Sequence, residues 1–337
     1  MSERTIRLHT FCSVKGGVGK TTLAIVCAKV LATQGRVPVL IDCDLMGTSL
    51  ADGLNLCAPK VALHEDGSID LEADAMTDPP YSTSESRRLR NRRRFALQTN
   101  AKWKDRPHPP PFYNDPLNFV YMHKRTPRMD AMIWRHEQPD GVLYLPSSST
   151  HDDMTQSLEW FFGQPFDFSR AFAVTLDAVA RQVPTLTDVV VDLPPGIWGF
   201  SDRVLDLVSL LYYQDDEPLP DDCATLRAGD IRWEANPFLV TTRDPNDFTP
   251  ALEYIAMHQK HVPTLRPVVN RSRVSIEVMR DIVRKRLGPF VAVAGLDEKM
   301  VRVDHLEALA NMFVDGDVDI NKVKGQFFEA LRLEKTT

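Results

Sequence analysis

The sequence predicts an α/β fold, a doubly wound and mainly parallel sheet carrying one irregular insertion, and three observations support it. Short apolar, β-branched runs alternate with helical patterns, the runs are continuously apolar, and the first of them passes through a glycine-rich turn into a helix. Strands covered on both faces read as continuous apolar runs, and alternation of strand with helix implies right-handed crossovers that place helices on both faces of one sheet.

The strand candidates, in order, are IRLHTFC at 6–12, VPVLIDCD at 37–44, GVLYLP at 141–146, DVVVDLP at 188–194, PFLVTT at 237–242, RPVVN at 266–270 and FVAVAG at 290–295. Between them lie helix candidates such as KTTLAIVCAKVLATQG, with a glycine stop at Gly35, and SIEVMRDIVRKRLG, ending at Gly288. Residues 58–140 break this rhythm with the run RRLRNRRR at 87–94, the cluster RPHPPPF at 106–112, and the scattered aromatics Trp103, Phe112, Tyr113, Tyr121 and Trp134. No period of two or of 3.6 survives there. The segment reads as an insertion, partly ordered through its aromatics, in a domain made of residues 1–57 and 141–337. A second irregular stretch, YYQDDEPLPDDC at 212–223, reads as an acidic surface loop.

Composition excludes several classes. The 337 residues are 43% hydrophobic and 26% charged, values of an ordinary globular chain, and no apolar run is long enough to cross a bilayer. The N-terminus MSERTIRLHTF carries charge where an export signal needs its apolar core, so a cytoplasmic location is expected. Cys12, Cys27, Cys43, Cys57 and Cys223 are odd in number and show no CxxC spacing, which disfavours a disulfide framework and a cysteine-ligated cluster. They are expected to be reduced core thiols. The net charge of -6 offers nucleic acid no overall attraction.

The stretch FCSVKGGVGKTTLAIV at 11–26 is the part whose chemistry is most legible. A glycine-rich turn between strand and helix aims consecutive backbone N–H groups into one concavity, and the helix N-terminus adds partial positive charge. The result is an anion cradle. Gly16, Gly17 and Gly19 are expected to supply left-handed dihedrals and close approach, Lys20 to reach β and γ phosphates, and the Thr21 hydroxyl to ligate Mg²⁺. Val18 and Thr22 complete the cradle. Relative to the pattern GxxxxGK[ST], the first glycine is replaced by Val14 and a second lysine, Lys15, stands beside Gly16.

The string KGGVGKTT resembles the deviant phosphate loop of the ParA and MinD family, in the SIMIBI class of P-loop nucleotidases. The resemblance implies that Lys15 reaches across an ATP-sandwich homodimer to the partner subunit's phosphates. VLIDCDLMGTS at 39–49 resembles the family's first switch, which would give Asp44 the task of orienting the attacking water and place Asp42 in the outer shell of Mg²⁺. DVVVDLPPGIWGFSD at 188–202 resembles the second switch, with Asp192 holding a water on Mg²⁺ and Gly196 bringing its N–H to the γ-phosphate. PVVNRSR at 267–273 resembles the strand that ends in an adenine-reading asparagine, here Asn270, and FLVTTRDPNDFTPALEYI at 238–255 the strand and helix before it. VAVAGLDEKMVRVD at 291–304 resembles the late loop after the last core strand.

The implied activity is ATP hydrolysis by in-line attack of water, with Lys15, Lys20, Mg²⁺ and the loop amides neutralising phosphoryl charge. Such a switch positions or partitions a cargo. DNA contact would use Arg87, Arg88, Arg90, Arg92, Arg93 and Arg94, although such a run equally suits a solvated loop or an acidic partner. The alternative is an ATPase subunit whose segment 58–140 docks a protein effector, as in a signalling or defence-type complex. Membrane attachment through the amphipathic tail at 320–335, with Val323, Phe327 and Leu331 on one face, is the weaker reading because helices packed on a core look the same.

Overall fold

Strand β1 (Arg4–Ser13) runs through the middle of a seven-stranded sheet, and the computed structural model shows why its sequence suits that place. Ile6, Leu8 and Cys12 pack into the core on one face while Phe11 packs into the core on the other. The same division holds along the neighbouring strands, where Val39 and Ile41 oppose Leu40, and Val189 and Val191 oppose Val190. Side chains alternate across a strand, so a strand needs apolar residues at every position only when both faces are covered. The structure describes residues 4–45, 50–63, 69–76, 111–148, 153, 155, 165–197, 199–213, 221–227, 230–258, 260–287, 299–305, 309 and 312–331.

From β1 the chain enters helix α1 (Lys20–Ala32), then β2 (Pro38–Asp42), the single turn α2 (Leu50–Gly53), β3 (Leu56–Cys57), and a hairpin of β4 (Pro59–Leu63) and β5 (Ile69–Met76). Helix α3 (Asn114–His123), β6 (Arg135–His136) and β7 (Leu143–Leu145) follow. Then come α4 (Pro165–Gln182), β8 (Asp188–Pro195), α5 (Phe200–Tyr212), β9 (Ile231–Thr242), α6 (Pro245–His258), β10 (Arg266–Ser272) and α7 (Ile276–Leu287). The described chain ends through β11 (Val301–Asp304), the single turn α8 (Met312–Asp315) and α9 (Ile320–Leu331). The main sheet has the order β11-β10-β9-β1-β8-β2-β7 and every pairing in it is parallel. The chain builds outward on one side of β1, returns to insert β8, and then builds on the other side. That reversal leaves a crevice at the carboxyl ends of β1 and its neighbours, where open α/β sheets take their ligands.

Helix α1 is apolar nearly all round because it is roofed: its residues from Leu23 to Leu31 are all buried, and α9 lies against it through Val323, Phe327 and Leu331. The exception inside α1 is Lys29, whose Nζ is 2.8 Å from the Asp140 carboxylate and also bonded to Asp317. A buried ammonium is tolerable only when paired. Helices α3 to α6 cover the opposite face through residues such as Leu117, Phe172, Val208 and Leu252.

Two sequence expectations change here, those for MVRVD and for the start of β9. The face of α9 formed by Val323, Phe327 and Leu331 is buried in the core, at 1% exposure or less, so it has no apolar surface to offer a membrane. No helix among the described residues is long and apolar enough to cross one. MVRVD, expected within a loop, contains β11, whose Val301 and Val303 face inward while Arg302 and Asp304 face out; FVAVAG at 290–295 lies outside the described residues. Strand β9 begins at Ile231, because its half-exposed first turns pair with the start of β1 even though they lack a continuous apolar run.

The segment 58–140 has no regular period in sequence. It holds the β4 and β5 hairpin and α3, and Phe112, Tyr113, Leu117 and Trp134 are buried in the same two cores as the sheet. Trp134 is fully buried because its Nε1 donates to Pro111 O at 2.7 Å. The arginine run at 87–94 and Trp103 lie outside the described residues.

Candidate functional site

The turn after β1 carries the charge-binding geometry. Gly17 and Gly19 have φ of 79° and 89°, the left-handed region, and a Cβ on Gly19 would sit 2.4 Å from Asn270 Nδ2. Glycine is therefore required at 19 on two counts. Gly16 is different from the expectation: its φ is not positive, and a Cβ there would make only ordinary contact with Pro195 at 3.7 Å. Val18 is buried in the core under α1 and anchors the turn. No side chain caps α1 at Gly19 and no acidic residue stands in its first turn, so the first-turn amides of Lys20, Thr21 and Thr22 are left for an external anion.

Lys20 is buried and its Nζ lies 3.4 Å from Asp192 Oδ1 in the second half of β8. Asp42 at the end of β2 stands in register with Asp192, and the Cys43 N–H donates to Asp192 O at 2.8 Å. Burial above all, and then the charges of Asp192 and Asp44, push the Asp42 carboxyl up to about 7. Asp42 nevertheless accepts hydrogen bonds from the Asp44 and Leu50 N–H groups, both at 3.0 Å, and from the Ser147 hydroxyl at 2.8 Å. Asp44 itself is half-buried. One ammonium and two adjacent carboxylates thus lie at the crevice, beside the amides of the turn.

Two residues expected to face the nucleotide are bonded within the chain. Asn270 is buried with its Nδ2 donating to Val18 O at 2.9 Å and its Oδ1 accepting the Arg271 N–H at 2.9 Å. Its amide clamps the turn. The Gly196 N–H donates to Ser13 O at 2.9 Å, and φ of 92° at Gly196 demands glycine. Lys15 is exposed at the rim, with its Nζ 4.0 Å from Asp247 at the start of α6.

Other participants were not evident in the sequence. Arg271 is a non-glycine residue at φ 54°, and its guanidinium donates to Gly17 O at 3.3 Å, closing over the turn from outside. Ser147 follows β7 and meets Asp42 from a strand far away in the chain. The signal available was position alone: polar residues at the carboxyl end of a strand. Cys12, Cys27 and Cys43 are buried, and burial pushes Cys12 up to about 12 despite the nearby Lys20 charge. Such thiols are inert at neutral pH.

The donor set suits Mg²⁺, which takes hard oxygen ligands and usually completes its shell with substrate phosphates. Thr21, Asp42 and Asp192 would supply such oxygens; Asp42 is raised by burial first and then by Asp192 and Asp44, and a divalent cation would relieve that repulsion. Among the described residues no group of three or more His, Cys, Asp or Glu could hold a metal without such help.

A parallel sheet with a phosphate loop after its central strand, and a lysine and paired carboxylates at the carboxyl ends, defines a P-loop nucleotide-binding protein. Residues 9–311 match the CobQ/CobB/MinD/ParA nucleotide binding domain, and the chain belongs to that family as a ParA/MinD-type P-loop NTPase. In fold it is similar to a ParA family ATPase from Chlorobium tepidum, at 14% identity over 96% of each chain with a TM-score of 0.52. It is also similar to MinD from Pyrococcus horikoshii complexed with Mg-ADP, at 13% identity over 97% of this chain and 93% of that one, TM-score 0.49. The ATP complex of a Cyanothece McdA variant matches at 14% identity over 100% of both chains, TM-score 0.47. No curated protein matches the sequence.

Proposed function

We propose that the protein is an ATP-hydrolysing molecular switch that dimerises around ATP and Mg²⁺ and, in that state, positions or partitions a macromolecular cargo. The observation that supports it most is the juxtaposition of the glycine cradle with Lys20, Asp192 and Asp42 at the crevice. Phosphate oxygens would occupy the turn formed by Gly16, Gly17, Val18 and Gly19 and the amides of Lys20, Thr21 and Thr22. Mg²⁺ would be held by Thr21, with Asp42 and Asp192 reaching it through water. Asp44 would orient the attacking water.

Lys15 carries the dimer reading. An exposed ammonium at the rim, tied only loosely to Asp247, is free to move toward phosphates bound by a second copy at small cost, because an exposed ion pair contributes about 1 kcal/mol or less. Hydrolysis is expected to be slow and stimulated by a partner, in a cytoplasmic setting. Nucleic acid would engage the arginine run at 87–94, and its binding would fall steeply with salt.

A second reading has the same ATPase core serving a complex in which 58–140 docks a protein effector. It is favoured by the way that segment is fastened, with Phe112, Tyr113 and Trp134 rooted in the two cores on either side of the sheet. Calorimetric titration of ATP with Mg²⁺, together with a phosphate-release assay, tests the activity: the wild type binds and hydrolyses ATP, and Lys20→Ala loses both. A wild type that binds no nucleotide contradicts the proposal. Deleting 77–110 and repeating a DNA shift assay and a partner pull-down then separates the two readings.

A further inference from the structure

Asp42 is held more firmly than a metal-shell carboxylate at a strand end requires. Its Oδ1 accepts from Asp44 N–H, and its Oδ2 accepts from Leu50 N–H, from the Ser147 hydroxyl, and from the Ser147 N–H at 3.3 Å. The first two donors lie on either side of residues 45–49. The others come from the turn after β7. Ser147 is fully buried, and that turn is itself fastened on its far side: the Ser148 N–H donates to Asn114 Oδ1 at 2.7 Å, and the Tyr113 N–H donates to Pro146 O at 2.8 Å. Asn114 is fully buried and is the first residue of α3. A chain of hydrogen bonds between buried groups therefore runs from the start of α3 through residues 146–148 to the carboxylate beside Asp192. Such a chain is stiff, because a buried polar group that loses its partner carries a full desolvation cost.

We propose that Ser147 is a positioning residue for nucleotide hydrolysis: it fixes the Asp42 carboxylate, and the bond from Ser148 to Asn114 fixes Ser147, so the start of α3 sets the geometry of the nucleotide site. The inference rests on reading that site as an ATPase. It gives a function to a buried serine on the turn after β7. It also gives anything that shifts the start of α3 a route to the chemistry.

The test uses the full chain as wild type, Ser147→Ala, Asn114→Ala and the double variant. ATP affinity comes from calorimetry, kcat and KM from phosphate release, and the exchange of the Asp44 and Leu50 amides from mass spectrometry. Losing a bond to an outer-shell carboxylate should lower kcat about tenfold or more in Ser147→Ala. KM and ATP affinity should stay within about twofold, a split that general destabilisation would not produce. Both amides should exchange faster. Asn114→Ala should also lower kcat, and the double variant should fall by less than the product of the two effects, since both break one chain. Wild-type kcat in Ser147→Ala, or effects that simply multiply, would overturn the proposal. If Asn114→Ala fails to fold, Asn114→Ser, whose shorter side chain does not reach the Ser148 N–H, takes its place and should also lower kcat; wild-type kcat there contradicts the proposal. A wild type that neither binds nor hydrolyses ATP sinks the ATPase reading instead. Amide exchange in Ser147→Ala then decides whether Ser147 holds Asp42: faster supports it and unchanged overturns it.

Discussion

At the scale of single residues, the site is a balance of like charges. Asp42 and Asp192 stand together with Lys20 beside only one of them, and burial first, then Asp192 and Asp44, raise the Asp42 carboxyl to about 7 from an ordinary value of about 4. A folded-state value above the unfolded one means stability that is full below about pH 4 and is lost as pH rises through about 7. Without nucleotide, the melting temperature should therefore fall between about pH 4 and 7, and Asp42→Asn should flatten that slope in a calorimetric pH series. Gly19→Ala meets both a left-handed φ and Asn270 Nδ2 at 2.4 Å, so it should abolish ATP binding by calorimetry. Lys20 and Gly19 were legible because one short string fixes their chemistry. Ser147, Arg271 and the clamping role of Asn270 were not, because each depends on which strand ends the sheet order brings beside the turn.

At the scale of elements, the central strands were readable from continuous apolar character, which two covered faces require. Elements at the periphery were not: β11 alternates at the sheet edge, and α3 follows a proline cluster in a segment of mixed polarity. Its apolar residues were visible, but their partners Phe168 and Phe172 on α4 come from another part of the chain. Trp134→Ala should cost about 3–5 kcal/mol in urea unfolding of the whole molecule, because its ring is buried beside Phe112 and Tyr144 in the main core. A variant whose main transition is unmoved would show residues 111–136 to be separable from the sheet. Phe327→Ala should cost a similar amount, about 3–5 kcal/mol, by uncovering α1.

At the scale of the whole molecule, the account holds that ATP turns a monomer into a dimer and that Lys15 makes the difference. Its side chain is 46% exposed at the rim of the crevice, and among the described residues it pairs only with Asp247, at the long distance of 4.0 Å. Light scattering after size exclusion, with ATP and Mg²⁺ or with ADP, on Asp44→Ala and on the Asp44→Ala, Lys15→Ala double variant, reads this most directly. The account predicts a dimer with ATP, a monomer with ADP, and a monomer under both conditions once Lys15 is removed. A mass that does not change with nucleotide, or an ATP dimer that persists without Lys15, would contradict it.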